Sequence, residues 1–385
     1  MKVKVSAIGV MDMLKFKNLR QEREKMIEQA QALPLPKTDV VNQLAKVFHP
    51  EKQYLVIQQI IEENKDTKSF ILAPDTQKGT VQIAPFKAGS YLNVSFIIDG
   101  SVASRVYSIS SSPKEKCYKI TVKRKPGGFL SNYLLDKASV GDTLTATEPS
   151  GHLTYSSIRD EKNVIAVAGG TGITPFLSMA QAIADNIEHF SLTILFGVRT
   201  QQDIVYKNEF DKIMSTTPKV KVVYVLSEEK TEGFEHGFIT AELIQKYMPK
   251  EGASIFAAGP VALCDFLDTE LKKLNLPAKN IRIERTSDEI ADTQQTTYSL
   301  KIRCKGQTET LTMNSSETVL TALERSGIAA KNRCRVGSCG FCRSRLIQGK
   351  YQATRNEHLR MADKEYNYFH PCCSYPLSDM EIEIY

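Results

Sequence analysis

The chain has 385 residues, which at about 150 residues per domain leaves room for two or three domains and excludes a single small binding module. With 42% hydrophobic and 24% charged residues, 21 Gly and 15 Pro, it falls outside the disordered, collagen-like and membrane classes. The net charge of +6 is too modest to argue for nucleic acid, and eight cysteines are too few for a secreted disulfide scaffold of this length.

Residues 1–50 form an N-terminal helical extension. Lys15, Lys17, Arg20, Arg23 and Lys25 alternate with Leu14, Phe16, Leu19, Met26 and Ile27, a basic amphipathic pattern expected to pack against its own protein rather than a membrane. Leu33-Pro34-Leu35-Pro36 breaks this helix, and Asp39 is placed to cap a second one over Val40–Phe48, ended by His49-Pro50. No secretory signal is expected, since Asp12 interrupts the apolar stretch from Val5 to Leu14, and a cytoplasmic location is expected.

Residues 51–157 change to short apolar and β-branched runs, such as Tyr54–Ile61, Tyr91–Ile98 and Tyr118–Val122. Asp99-Gly100, Pro126-Gly127-Gly128 and Val140-Gly141-Asp142 separate them, a pattern that predicts an antiparallel β-barrel domain. Residues 158–287 alternate strands (Val164–Ala168, Leu192–Phe196, Val220–Leu226, Ile255–Ala258) with helices near Pro175 and Lys207, which predicts a doubly wound α/β domain. The uncharged window Val164–Ala184 is long enough to span a bilayer, but Gly169, Gly170, Gly172 and Pro175 argue for a strand, loop and helix instead.

Residues 288–297 are polar, lack a hydrophobic period and are expected to be an interdomain linker. Residues 298–385 form a third, α+β unit. Tyr298–Cys304 and Glu309–Met313 predict a hairpin, Thr318–Ser326 a helix, and Met380–Tyr385 a closing strand.

Three constellations carry chemistry. Cys334, Cys339 and Cys342, followed by Cys372, give the C-x4-C-x2-C…C spacing of a plant-type [2Fe-2S] cluster, with zinc as the alternative occupant. Ala168-Gly-Gly-Thr-Gly-Ile-Thr-Pro175 ends the first α/β strand and opens a helix, where a pyrophosphate is favoured. Arg105-Val-Tyr107-Ser108 places a cation and an aromatic ring on one face of a strand, and Gly127-Gly128-Phe-Leu130-Ser131 follows it.

Residues 293–385 resemble the plant-type ferredoxin domain, in which 29 residues separate the third and fourth ligands. Cys342 and Cys372 have that interval, so the resemblance makes Cys372 the ligand rather than its neighbour Cys373. Residues 51–385 together resemble the ferredoxin-NADP reductase superfamily, with a ferredoxin domain fused at the C-terminus.

The resemblance implies that Arg105 holds a flavin phosphate, Tyr107 lies against the isoalloxazine and Ser108 approaches the flavin N5. Gly127, Gly128, Leu130 and Ser131 would bind the FAD pyrophosphate, with FMN the alternative flavin. Gly170, Thr171, Gly172 and Thr174 would serve both cofactors, while Ser227, Gly259 and Pro260 would border the nicotinamide nucleotide. Tyr107, Ser108, Thr174 and Glu284 are the candidate catalytic residues. The chain departs from the family pattern at Ala258, where Cys is common, and at Pro149-Ser-Gly151-His-Leu153. Glu228 and Glu229 favour NADH by repelling a 2′-phosphate, although Lys230 and Arg199 leave NADPH open.

The function expected from these sites is an NAD(P)H-dependent oxidoreductase. It would pass a hydride to FAD and then single electrons through [2Fe-2S] to a separate redox protein, an oxygenase component or hybrid-cluster-type protein. A redox sensor or regulatory subunit with slow turnover is the alternative. Lys331, Arg333, Arg335, Arg343 and Arg345, with no carboxylate among residues 331–345, either offset the cluster's charge or dock an acidic partner. Neither a nucleic-acid partner nor a transmembrane segment is expected.

Overall fold

The computed structural model describes residues 10–30, 39–285, 295–304, 306–355 and 357–385. The predicted Leu33–Pro36 break and positions 288–294 of the predicted linker lie outside the described residues. Two compact units are formed, residues 1–45 and residues 46–385.

In the first unit, α1 spans Val10–Gln29 and α2 begins at Val40, running to Phe48. Asp39 caps α2 as expected, its carboxylate accepting from Val41 N and Asn42 Nδ2 at 2.9 Å. The amphipathic reading of α1 is corrected: Leu19, Met26 and Ile27 are exposed. At 3.6 residues per turn Arg23 projects between Met26 and Ile27, so apolar and basic side chains do not segregate into two faces.

The second unit begins with six antiparallel strands: β1 (Gln53–Asn64), β2 (Thr67–Pro74), β3 (Tyr91–Ile98), β4 (Ser101–Ser108), β5 (Tyr118–Lys123) and β6 (Thr143–Ala146), with α3 (Phe129–Asp136) between the last two. Their order is β4-β3-β6-β1-β2-β5, and an Ile109–Ile120 bridge brings the chain after β4 against β5, curling the sheet toward closure. Alternation drives this: in β1, Gln53, Leu55 and Ile57 point inward while Tyr54 and Val56 are only partly buried. Phe70, Leu92, Val94 and Tyr118 complete the interior.

The α/β sheet is parallel throughout, in the order β10-β9-β8-β7-β11-β12. The strands are β7 (Asn163–Gly169), β8 (Ser191–Val198), β9 (Val220–Leu226), β10 (Glu235–His236), β11 (Ser254–Gly259) and β12 (Ile281–Arg285). Helices α4 (Thr174–Ala184), α5 (Lys207–Thr216), α6 (Ala241–Lys246) and α7 (Val261–Glu270) connect them. The two cores lie on opposite sides of the sheet, one built on Phe176, Phe196 and Phe256, the other on Ile165, Val167 and Leu267. Sheet residues from both sides are buried, which is why the central strands read as unbroken apolar runs. Each fully buried Phe contributes roughly 1.5–3 kcal/mol.

The C-terminal unit pairs β13 (Thr297–Cys304) with β14 (Gln307–Asn314), the predicted hairpin. Thr318 caps α8 (Val319–Arg325) by accepting from Thr321 N. β15 (Ser344–Gln348), β16 (Tyr351–Ala353), α9 (Met361–Glu365), β17 (Tyr368–Phe369), β18 (Ser374–Pro376) and β19 (Met380–Ile384) follow. β19 inserts parallel to β13, so the final strand closes the core over Leu300, Ile302 and Ile382.

Candidate cofactor sites and the junction between them

β4 positions the flavin-strand residues. Arg105 and Tyr107 share one face by alternation, and Arg105 Nη1 donates to the Ser104 carbonyl at 2.7 Å. Burial pushes the Tyr107 phenol up to about 12, against the opposing pull of Arg105 and Arg335. Ser108 stands opposite Tyr91 of β3 in the strand pairing.

Gly128 precedes the first turn of α3. A Cβ there would overlap the Ser131 hydroxyl and come within 2.9 Å of Lys125 Cβ, while Gly127 takes a left-handed φ of 69°. Bare backbone at this helix start leaves amides open to an anion. This fits a pyrophosphate at Gly127, Gly128 and Ser131; Leu130, by contrast, is buried in the barrel core, so only its backbone can serve such a role.

The glycine-rich loop after β7 folds into a short 3-10 turn, Gly170–Ile173, before α4. A Cβ on Gly172 would overlap the Ala258 carbonyl and lie 2.7 Å from Gly259 N. The loop thereby packs backbone to backbone against the end of β11, where Gly259 and Pro260 lead into α7. Thr174 is buried and donates to the Thr171 carbonyl at 2.8 Å. The loop lies at the carboxyl edge of the sheet where the strand order reverses, between β7 and β11, the position that suits a dinucleotide.

Ser227 N donates to the Val198 carbonyl at 3.0 Å, which sets the β9 exit beside the β8 exit. Glu228 lies 3.6 Å from Arg199, both exposed, and Glu229 accepts from Gln201 N at 2.5 Å. Two carboxylates, Glu228 and Glu229, thus stand at this exit, the first offset by Arg199.

In the C-terminal unit the thiols of Cys334, Cys339, Cys342 and Cys372 converge. Cys334 is held well below the usual thiol range by hydrogen bonds from Cys339 and Cys372, and Cys372 is held well above it by Cys334 and Cys342. Gly337 and Gly340 adopt left-handed φ values of 82° and 68°, which wraps the loop around the thiols. Four convergent sulfurs at C-x4-C-x2-C…C spacing fit a [2Fe-2S] cluster. Cys373 hydrogen-bonds Cys372 and also directs its thiol to the His370 carbonyl at 3.5 Å.

One residue that sequence reasoning missed lies within electrostatic reach of the cluster thiols and of Glu284. Tyr91 is buried on β3, and its phenol is pushed up by burial, then by Cys334, Cys339 and Glu284. Its ring sits 3.2 Å from where a Gly151 Cβ would lie. The motif departure around Gly151 is thus spatially part of the junction. Tyr91 belongs to a generic strand run and gives no sequence signal of its own. Glu284, on β12 opposite Ala258, has its carboxyl raised to about 7 by burial.

The cations of the basic loop have definite partners. Arg333 pairs with Glu148 of the barrel, Arg335 with Glu324 at 2.6 Å, Arg343 with Asp363 at 3.0 Å and Arg345 with Glu383 at 3.9 Å. Lys331 and Arg345 are exposed.

Comparison with known families assigns each region. Residues 54–155 match the oxidoreductase FAD-binding domain, 166–269 the oxidoreductase NAD-binding domain and 302–377 the 2Fe-2S iron-sulfur cluster binding domain. The chain belongs to the ferredoxin-NADP reductase superfamily. This reductase carries the superfamily's flavin and nicotinamide domains with a fused plant-type ferredoxin domain, and its cofactors are FAD, a nicotinamide nucleotide and [2Fe-2S].

The reductase is 26% identical over 349 residues to the glycine betaine monooxygenase reductase subunit of Chromohalobacter salexigens, covering 84% of this chain and 93% of that protein. It is 27% identical over 297 residues to NADH oxidoreductase HCR of Escherichia coli, covering 77% and 88%. The 3-ketosteroid-9-alpha-monooxygenase ferredoxin reductase component of Mycobacterium tuberculosis is 26% identical over 344 residues, covering 84% and 93%. The fold is that of phthalate dioxygenase reductase, with a TM-score of 0.65 and 24% identity over 86% of this chain and 97% of that one. No helix among the described residues is long and apolar enough to cross a membrane.

Proposed function

We propose that this reductase takes a hydride from NADH and delivers single electrons to a separate redox protein, an oxygenase component or a hybrid-cluster-type protein. The observation that carries this reading is the seating of the cluster loop on the barrel, where Arg333 and Arg335, on either side of Cys334, respectively pair with Glu148 and donate to Ser104 of the flavin strand. When bound, the flavin accepts a two-electron hydride and the iron-sulfur cluster passes electrons singly.

The chain's own residues orient and shield. Arg105 supplies a cation to the flavin phosphate, and Tyr107 and Ser108 line the ring. Gly127, Gly128, Leu130 and Ser131 offer backbone to the pyrophosphate. Gly170, Thr171, Gly172 and Thr174 seat both cofactors, with Ser227, Gly259 and Pro260 bordering the nicotinamide nucleotide. Cys334, Cys339, Cys342 and Cys372 ligate the cluster. Glu284, with its raised carboxyl, holds a proton beside the nicotinamide edge near neutral pH. Glu228 and Glu229 repel a 2′-phosphate, which favours NADH over NADPH.

The domain limits of this reading are 1–50, 51–157, 158–287, a linker over 288–297, and 298–385. The location is cytoplasmic, consistent with thiolate-ligated iron in a reducing compartment. The acceptor presents an acidic face to the exposed Lys331 and Arg345.

The test is the visible spectrum of anaerobically purified protein before and after stoichiometric NADH, then NADPH. Bleaching of flavin and iron-sulfur bands within seconds of NADH addition is expected. Bands present but unresponsive to either nucleotide would overturn the reductase reading in favour of a sensor.

A further inference from the structure

Arg335 directly follows the cluster ligand Cys334, yet its side chain turns away from solvent and toward the barrel. Its φ of 57° lies in the left-handed region, which a non-glycine residue adopts only where the surroundings hold it. The guanidinium is 10% exposed and the Glu324 side chain 6%. Arg335 Nη1 donates to Glu324 Oε1 at 2.6 Å and to Ser104 Oγ at 2.7 Å. Ser104 in turn donates to the same Glu324 oxygen at 2.5 Å.

These three residues come from three elements. Arg335 is on the cluster loop, Glu324 on α8, and Ser104 on β4 immediately before Arg105. Because side chains alternate along a strand, β4 presents Arg105 and Tyr107 on one face and Ser104 on the other. One strand therefore carries the flavin-side residues and also receives the cluster loop. Asn93 of β3 reinforces the contact by donating to Asn332.

A cation used this way is not available to an outside partner. We propose that Arg335, held by Glu324 and Ser104, is a positioning residue that locks the cluster loop onto the flavin strand and sets the geometry for electron passage between flavin and cluster. The inference rests on the reductase reading above. The step itself is the movement of one electron from the reduced flavin to the oxidised cluster, with the flavin oxidised by one electron and the cluster reduced by one.

The ordering of consequences follows from the geometry. A loosened lock is expected to leave hydride transfer to the flavin intact, since Arg335, Glu324 and Ser104 are not among the residues assigned to the nicotinamide nucleotide. It shifts the cluster relative to the flavin, and the rate of electron passage falls as their separation grows.

The experiment is anaerobic stopped-flow reduction of the full chain by NADH, following flavin and cluster bands separately, for the wild type, Glu324→Gln, Ser104→Ala, Arg335→Ala and Arg335→Lys. Amide hydrogen exchange over residues 101–108 and 319–325 and the electron paramagnetic resonance signal of the dithionite-reduced cluster are measured alongside. Flavin reduction is expected to stay within about twofold in each variant. Cluster reduction should slow about tenfold or more in Glu324→Gln and Arg335→Ala, with partial recovery in Arg335→Lys. The cluster signal should remain and exchange over the two segments should rise.

Wild-type cluster reduction in Glu324→Gln and Arg335→Ala would overturn the proposal, as would equal slowing of both phases. Loss of the cluster in Arg335→Ala, with wild-type transfer in Glu324→Gln and Ser104→Ala, would also overturn it by reducing Arg335 to a support of the cluster loop. If the wild-type cluster is not reduced by NADH at all, the reductase reading fails first, and the variants separate the two failures because exchange protection is read without turnover.

Discussion

Glu284 owes its raised carboxyl to burial, with no cation beside it to lower it. With a folded value of about 7 against an ordinary 4.5, the native protein holds a proton that the unfolded chain releases. The native state binds more protons across that window, so this group's contribution to stability falls as pH rises from about 4.5 to 7 and is lowest above it. Glu284→Gln removes the burden, and unfolding by urea should show the variant gaining on the order of 1–3 kcal/mol over wild type at pH 8 relative to pH 5. If Glu284 also holds the working proton, an inflection near pH 7 in the rate of flavin reduction should disappear in the same variant. At the cluster, Cys372 lies among the thiols of Cys334 and Cys342, whereas Cys373 donates to a backbone carbonyl. Cys372→Ser is expected to lose the iron-sulfur absorbance and Cys373→Ser to keep it; the reverse pattern would move the ligand assignment.

The glycine loop after β7 shows how an element converts residue identity into a binding crevice. Gly170 has a left-handed φ of 52° with open space around it, whereas Gly172 has backbone of β11 against it. Substituting Ala at Gly170 costs the backbone preference alone, about 1 kcal/mol. At Gly172 the added methyl must push two strand ends apart, an overpacking cost of about 1–3 kcal/mol or more. A lower melting temperature and a KM for NADH raised at least tenfold are expected for Gly172→Ala, with a distinctly smaller rise in KM for Gly170→Ala. Comparable KM values in the two variants would mean that the close approach of the loop to β11 has no part in nucleotide binding.

Across residues 46–385 the three domains are joined by contacts of unequal worth. Arg355 and Asp265 link the ferredoxin and nicotinamide domains at 2.7 Å, but their side chains are 59% and 37% exposed. Such a pair contributes about 0–1 kcal/mol and is screened by salt. Arg355→Ala should leave the melting temperature and the rate of cluster reduction by NADH near wild type, in contrast to the buried Glu324 and Arg335. Electron delivery to the outside acceptor should fall as ionic strength rises if Lys331 and Arg345 steer it. A rate independent of salt would remove the acidic docking face from the proposed function.

Sequence alone was enough for the order of domains, the strand-loop-helix around Gly170 to Thr174 and the presence of a 2Fe-2S domain. Each of these rests on spacing along the chain: a period of two in β1, an apolar run in β7, and the fixed intervals of three cysteines on one loop and a fourth after β17. The basic run from Lys331 to Arg345 was visible too, but its use was not, because charge carries no direction along a sequence. Tyr91 and Ser104 lie in ordinary strand runs. They acquire meaning only when β3 and β4 bring them to the cluster loop, and the partners Glu148 and Glu324 lie 185 and 11 residues from the arginines they hold. Long-range packing decides which cations are buried and which face outward, and so whether the loop binds its own barrel or a passing partner.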